Sequence, residues 1–275
     1  MEKEALLRLS TLSHPQRLGI FRLLMRRYPD QVPAGEIASA LTLKASTTSV
    51  YLAALTDAGL IRQRRQGTSL RYSANTQAAG ALINFLVVDC CRGRPELCAP
   101  VATATLRSQY NVLFLCTGNS ARSICAQTIL RDLDPTRFAV YSAGTQPNDQ
   151  INPLAVDILT CKGHDTARLR PQPMSDFQTP DSPRMDFVFT VCNSAANEDC
   201  PTWEGQPISG HWGLPDPASA KGPLAERRRA FEHTYTALHA RIAAFAALPL
   251  ATLDATSLQN AIDAIGIAPP KGHSA

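Results

Sequence analysis

The chain has 275 residues, 44% of them hydrophobic, which is enough length and apolar content for two ordinary domains and too much for a disordered one. No apolar run approaches the ~20 residues of a membrane span, and the start MEKEALLRLS lacks the basic segment and long apolar core of a signal peptide. A cytoplasmic protein without membrane contact is expected, and in that reducing compartment its eight cysteines read as ligands or catalysts rather than a disulfide framework.

Charge divides the chain. Residues 1–105 hold 13 basic against 7 acidic side chains, a net of +6, while residues 106–275 hold 14 against 16, a net of −2. A basic first third on a near-neutral remainder suggests a polyanion-binding module joined to something else. The small-residue stretch 99–109 reads as a linker. The expected division is therefore a first domain over 1–98, the linker, a second domain over 110–247, and an extension over 248–275 in which the sequence offers no chemistry and leaves open whether SLQNAIDAIGI docks as a helix or frays.

In HPQRLGIFRLLMRR, helical spacing puts Leu18, Phe21, Leu24 and Met25 on one face, with Pro15 at the helix start. AGEIASAL is a short second helix, TLK a tight turn, and ASTTSVYLAALTDAGLI a third helix closed by Gly59. Two helices separated by so few residues form a helix-turn-helix. LIRQRRQGTSLRYSA then reads as two strands about Gln66–Gly67, a basic wing. If the module binds operator DNA, the third helix enters the major groove with Ser46, Thr47, Thr48, Ser49 and Tyr51, while Arg62, Arg64, Arg65 and Arg71 meet phosphates. The bland reading is a helical domain with a capping Ser/Thr run and a solvated arginine face. The order of the signals favours DNA binding.

This segment resembles the ArsR family of winged-helix repressors, which implies a homodimer that leaves DNA when a metal or metalloid binds. A sensor needs ligands, and DCCRGRPELC supplies Cys90, Cys91 and Cys98. Three thiolates without a fourth ligand suit trigonal As(III) or Sb(III) better than tetrahedral zinc. Arsenite is thus the expected effector.

NVLFLCTGNSARS runs an apolar strand into Cys116, a short turn, Arg122, Ser123 and an amphipathic helix. The turn amides of Thr117, Gly118, Asn119, Ser120, Ala121, Arg122 and Ser123 can hold the oxygens of a tetrahedral oxyanion, and Arg122 adds a planar fork. The same positive environment should favour the Cys116 thiolate as nucleophile. DFVFTVCNSAANEDCP places Cys192 after a second apolar strand, with Cys200 eight residues on. A hydrolytic phosphatase needs neither, but a reductase must supply two electrons, and successive thiols can. HWGLPDPA carries Asp216 between prolines, a suitable general acid.

Residues 110 to about 247 resemble the low-molecular-weight tyrosine phosphatase superfamily, specifically its arsenate reductase branch. The resemblance implies an α/β fold: a winged helix-turn-helix domain followed by a doubly wound, parallel four-stranded sheet. It also implies arsenate as substrate, Cys116 as nucleophile, Cys192 and Cys200 as relay, and thioredoxin as external reductant with no tightly bound cofactor. Ala121 stands where relatives often have cysteine, and the relay gap is slightly longer than in some. Cys125 and Cys161 are expected to be packing residues, and Arg227–Arg229 a solvated helix face. His211 and Trp212 either line the site or anchor its loop. The competing readings are a tyrosine phosphatase fused to a DNA-binding domain, which Cys192 and Cys200 oppose, and a non-catalytic oxyanion-binding regulator, which Cys116, Arg122 and Asp216 oppose.

Overall fold

A computed structural model of the chain describes residues 2–92, 109–198, 203 and 205–267. The chain divides into two compact units, 1–103 and 104–275. Among the described residues, no helix is long and apolar enough to cross a membrane.

The first unit contains α1 (Glu2–Leu12), α2 (Pro15–Arg26), β1 (Val32–Pro33), α3 (Ala34–Ala40), α4 (Ala45–Asp57), β2 (Ile61–Gln66), β3 (Ser69–Ala74) and α5 (Thr76–Phe85), which runs into a π-helical turn at Leu86–Cys90. Pro15 occupies the first position of α2, where its missing N–H costs nothing, and His14 Nδ1 accepts from the Gln16 amide at 3.2 Å. Gly59, at φ 69°, lets the chain leave α4 in the left-handed region. β2 and β3 pair antiparallel, with β1 on the far side of β3. Because Gln66 pairs with Ser69, the wing turns on Gly67–Thr68, one residue beyond the expected Gln66–Gly67.

The buried stripe of α2 also differs from expectation. Leu18 and Met25 are exposed, while Ile20, Leu23, Leu24 and Arg27, one position round the helix, lie inside. Arg27 carries this face beyond the apolar residues. Its guanidinium is paired with Glu36 and with Asp30, so a charged residue can occupy a core position that an apolar count skips. Ile37, Leu52, Leu55 and Ile61 complete this core.

The second unit is built on a four-stranded sheet in the order β5-β4-β6-β7, every pairing parallel: β4 is Tyr110–Cys116, β5 Phe138–Gly144, β6 Phe187–Thr190 and β7 Ile208–His211. Alternation along β4 sends Val112, Phe114 and Cys116 into a core shared with α6 (Arg122–Leu133), α7 (Pro153–Cys161), α9 (Leu224–Ala246) and α10 (Ala255–Ile267). Leu113 and Leu115 face Phe177, Met185 and Val188 on the other side. A short helix, α8 (Asn193–Asn197), follows β6. The tail docks as α10, with Leu258 and Ile262 buried. Each such aliphatic burial is worth roughly 1.5–3 kcal/mol, so α10 belongs to the fold.

Candidate active site and nucleic-acid interface

Segments leaving the carboxyl ends of β4, β6 and β7 converge at the point where strand order reverses, the usual place for a crevice in an open parallel sheet. The β4 segment is the turn from Cys116 to Arg122. Its carbonyls face away from the sulfur: Cys116 O accepts from the Thr145 amide (3.1 Å), Thr117 O from Gln146 (2.9 Å), Gly118 O from Asn148 (2.9 Å) and Ser120 O from Asn152 (2.9 Å). In a planar trans peptide the carbonyl and the next N–H point oppositely. The amides of Thr117, Gly118, Asn119 and Ala121 therefore turn to the inner side of the loop, and Asn119 N–H donates to Cys116 Sγ at 3.1 Å. This is a concave row of donors suited to an anion. The two loops pack so closely that a Cβ on Gly144 would lie 2.5 Å from Thr117 O.

Asn119 holds the loop from within. It has φ 43°, a conformation short polar residues tolerate, and is fully buried. Its Nδ2 donates to Ser123 Oγ (2.9 Å) and Ser142 Oγ (2.8 Å), and its Oδ1 accepts from the Gln172 amide (2.7 Å). Ser142 Oγ in turn donates to Gln127 Oε1 at 2.6 Å. Since Ser123 Oγ accepts from Asn119, its hydrogen is available to Cys116 Sγ, 2.8 Å away. Nothing in the motif spacing signals Ser142, Gln127 or the Gln172 amide, because they come from β5, α6 and a distant loop.

The electrostatics of Cys116 depart from expectation. Burial pushes its thiol above the ordinary range and the nearby Cys192 adds to that, while the hydrogen bonds from Ser123 and Asn119 pull it down. Burial prevails, so the thiolate is less favoured than the positive loop alone suggested. Cys125, fully enclosed behind it on α6, is pushed up to about 12 by the same cause and is a packing residue. Cys161 is exposed, not packed, and its Sγ accepts from Arg228 Nη2 at 3.2 Å. Arg227 and Arg229 are exposed.

Arg122 opens α6 and does not present a free fork: Nη1 donates to Leu214 O at 2.9 Å, and Nη2 lies 3.2 Å from Asp216 Oδ1. Among the described residues, its buried Nε has no hydrogen-bond acceptor. Cys192 is buried after β6, with Sγ 3.5 Å from Thr117 Oγ1 and accepting from the Ala195 amide at 3.4 Å. Cys116, Arg122, Cys192 and Asp216 thus come together from three strand ends. Cys200 lies outside the described residues. His211 and Trp212 are buried, His211 Nδ1 lying 2.8 Å from Thr190 Oγ1 and Trp212 stacking on Phe189 at 4.0 Å, so both anchor the loop.

In the first unit, Ser46 and Ser49 are exposed on α4, Thr47 and Tyr51 half-buried. The structure does not bring Thr48 to that face; it is buried, and its hydroxyl donates to Lys44 O at 3.0 Å. The outer stripe instead includes Val50, 66% exposed, and Ala53, which the i, i+4, i+7 spacing from Ser46 could have revealed. Arg62, Arg64 and Arg65 are exposed on the wing, whereas Arg71 is half-buried and donates to Gln31 O at 3.2 Å. Cys90 is exposed and Cys91 half-buried at the end of the π-helical turn; Cys98 lies outside the described residues.

Residues 111–259, more than half of the chain, match the low molecular weight phosphotyrosine protein phosphatase family. The chain belongs to that family. Curated relatives of this phosphatase-family chain are arsenate reductases. That of Shouchella clausii (strain KSM-K16) is 36% identical over 145 residues, covering 50% of this chain and 96% of its own length. That of Bacillus subtilis (strain 168) is 32% identical over 135 residues, covering 49% and 94%. The solved arsenate reductase of Archaeoglobus fulgidus DSM 4304 is 22% identical, with a TM-score of 0.38 over 48% of this chain and 98% of that one. Residues 12–64 match a helix-turn-helix domain.

Proposed function

We propose that the second unit reduces arsenate through a thiol relay and that the first is an operator-binding repressor responsive to the arsenite produced. The observation that carries the reading is the convergence of two thiols, Cys116 within the amide-lined loop and Cys192 beside Thr117 at the end of the neighbouring strand. Only the second thiol separates a reductase from a hydrolytic phosphatase. Substrate draws the Arg122 guanidinium from Leu214 O and Asp216 toward arsenate oxygens, and the buried Nε and inward amides supply the remaining donors.

Cys116 attacks arsenic, its developing thiolate held by the Ser123 hydroxyl; an S–As bond forms as the As–O bond to an arsenate hydroxyl breaks, and that hydroxyl leaves as water with the thiol's proton, handed on by way of Asp216. Cys192 then attacks Cys116 Sγ. The electron pair of the S–As bond stays on arsenic, which leaves as arsenite while a Cys116–Cys192 disulfide forms. Cys200 attacks Cys192 Sγ, freeing Cys116, and thioredoxin reduces the Cys192–Cys200 disulfide.

In the first unit, α4 enters the major groove with Ser46, Thr47, Ser49 and Tyr51, while Arg62, Arg64 and Arg65 meet phosphates. A homodimer would cover Leu6, Leu7 and Leu9 of α1 with Ile83 and Val88, all exposed on this unit. Cys90, Cys91 and Cys98 hold arsenite.

The test is arsenate reduction with thioredoxin beside aryl phosphate hydrolysis, for wild type, Cys116→Ser and Cys192→Ser. Reduction lost in both variants, with no phosphatase activity that depends only on Cys116, supports the reading. Hydrolysis of aryl phosphate unaffected by Cys192→Ser, without arsenate reduction, would replace it with a phosphatase. For the sensor, triple Cys→Ser replacement at 90, 91 and 98 should abolish arsenite-induced release from DNA and leave reduction intact.

A further inference from the structure

The segment carrying Asp216 is held from behind by the two C-terminal helices. Arg241, on α9, donates from Nη1 to Trp212 O at 2.9 Å and reaches Gly213 O at 3.5 Å, and donates from Nη2 to Gly266 O at 3.2 Å in the last turn of α10. The indole Nε1 of Trp212 donates to Ile262 O at 3.2 Å. Ile262 is fully buried, and a Cβ on Gly210 would lie 2.7 Å from its Cγ2, so α10 is pressed against β7. On the opposite side, a Cβ on Gly213 would lie 2.4 Å from Asn193 Oδ1 and 2.6 Å from His211 Nε2. The peptide from Trp212 to Gly213 therefore lies against α8, α9 and α10.

The next residues touch the chemistry. Leu214 O accepts from Arg122 Nη1, and Asp216 meets Nη2. A guanidinium bound to two or three carbonyls makes charge-assisted bonds in fixed geometry, stronger than neutral ones. An arginine needed only to cap α10 would require Gly266 O alone. Arg241 spends its other nitrogen on the strand-exit carbonyls of Trp212 and Gly213, which lie beyond the end of β7 at His211.

We infer that Arg241, braced by α10, is a positioning residue that sets Leu214 O and Asp216 and, through them, the orientation of Arg122. The inference rests on the proposed arsenate chemistry for its rate effect but not for its binding effect. Displacing Asp216 relative to the leaving oxygen lowers the rate, and loosening the rest contacts from which the anion must draw Arg122 strengthens anion binding.

The experiment uses the full chain as wild type, Arg241→Ala, Arg241→Lys, Asp216→Asn and the double variant Arg241→Ala/Asp216→Asn. Arsenite release is followed in a single turnover, and inorganic phosphate is titrated as an unreactive oxyanion. Arg241→Ala should slow single turnover about tenfold. In the Asp216→Asn background the same change should cost less than about twofold, because the group being positioned is gone. Arg241→Lys should recover part of the loss, since an ammonium can reach a single carbonyl but not span two loops. Phosphate affinity should rise several-fold in Arg241→Ala. Equal rate losses in both backgrounds, or phosphate affinity unchanged or lowered, overturn the brace. If wild type releases no arsenite, the functional reading fails, and the phosphate titration still decides the brace. Should Arg241→Ala fail to fold, a chain ended at Ile265, which removes the Gly266 carbonyl and keeps Ile262, should show the same changes in rate and phosphate affinity in weaker form; wild-type kinetics there would overturn the role of α10.

Discussion

Replacing Asn119 by alanine should destabilise the second unit by about 3–5 kcal/mol. The side chain is fully buried and makes three hydrogen bonds, to Ser123, Ser142 and the Gln172 amide. Truncation strands the Gln172 N–H, at roughly 1–3 kcal/mol, and removes one bond from each serine, about 0.5 kcal/mol apiece because Ser123 keeps Cys116 and Ser142 keeps Gln127 as partners. Alanine at φ 43° adds about 1 kcal/mol of left-handed strain. Glycine separates the two contributions: Asn119→Gly loses the same bonds without the strain, so it should be about 1 kcal/mol more stable than Asn119→Ala. Both tryptophans, Trp203 and Trp212, lie in the second unit, so urea denaturation followed by tryptophan fluorescence reports that unit alone. A loss below about 1 kcal/mol for Asn119→Ala would refute the claim that this network holds the loop. Equal midpoints for alanine and glycine would refute the strain argument.

The relay order gives a second expectation: in a single turnover Cys200→Ser should release arsenite once and stop, whereas Cys192→Ser should release little, and equal bursts would contradict the sequence of attack. For Cys125 the folded thiol is raised to about 12 from an ordinary 9, so the stability its burial provides is present below pH 9 and is lost as pH rises toward 12. Cys125→Ala, though less stable at neutral pH, should therefore lose stability less steeply between pH 9 and 12, measured by the urea midpoint; parallel pH curves would count against the shift. On the wing, single alanine replacements of Arg62, Arg64 and Arg65 should each lower the log–log salt slope of DNA binding by about 1, while Arg71→Ala, which breaks a bond to Gln31 O, should act mainly on stability. An unchanged slope for all three exposed arginines would remove the wing from the interface.

What the sequence disclosed follows the range of the interactions involved. The strand, Cys116, five residues and Arg122 are contiguous, and the local grammar of strand, turn and helix is legible there. Cys192 and Asp216 were legible because each follows its own apolar strand or sits in a proline-bounded loop, and a parallel sheet brings strand ends together. The positions that resisted reading depend on long-range partners. Arg27 looks like a surface residue until Glu36 and Asp30 are placed beside it. Thr48 sits in a polar run, yet helical phase turns it inward while Val50 turns out. The tail from 248 appeared featureless because its contribution is made through backbone carbonyls at Ile262 and Gly266, which carry no side-chain signature.

The bonds from the 145–152 segment to the carbonyls of the Cys116 loop bear on any attempt to transplant this site. A motif search scores CTGNSARS and assigns residues 144–152 no chemistry, since those residues act on the loop by main-chain N–H groups and by the absence of a side chain at Gly144. Grafted alone onto another sheet, the eight residues would be free to rotate their peptide planes, and each rotated plane would aim an oxygen where a nitrogen had been, turning a cradle for anions into one that repels them. A portable version of the site is a pair of loops, one supplying the sulfur and guanidinium and the other fixing which way the first one's dipoles point.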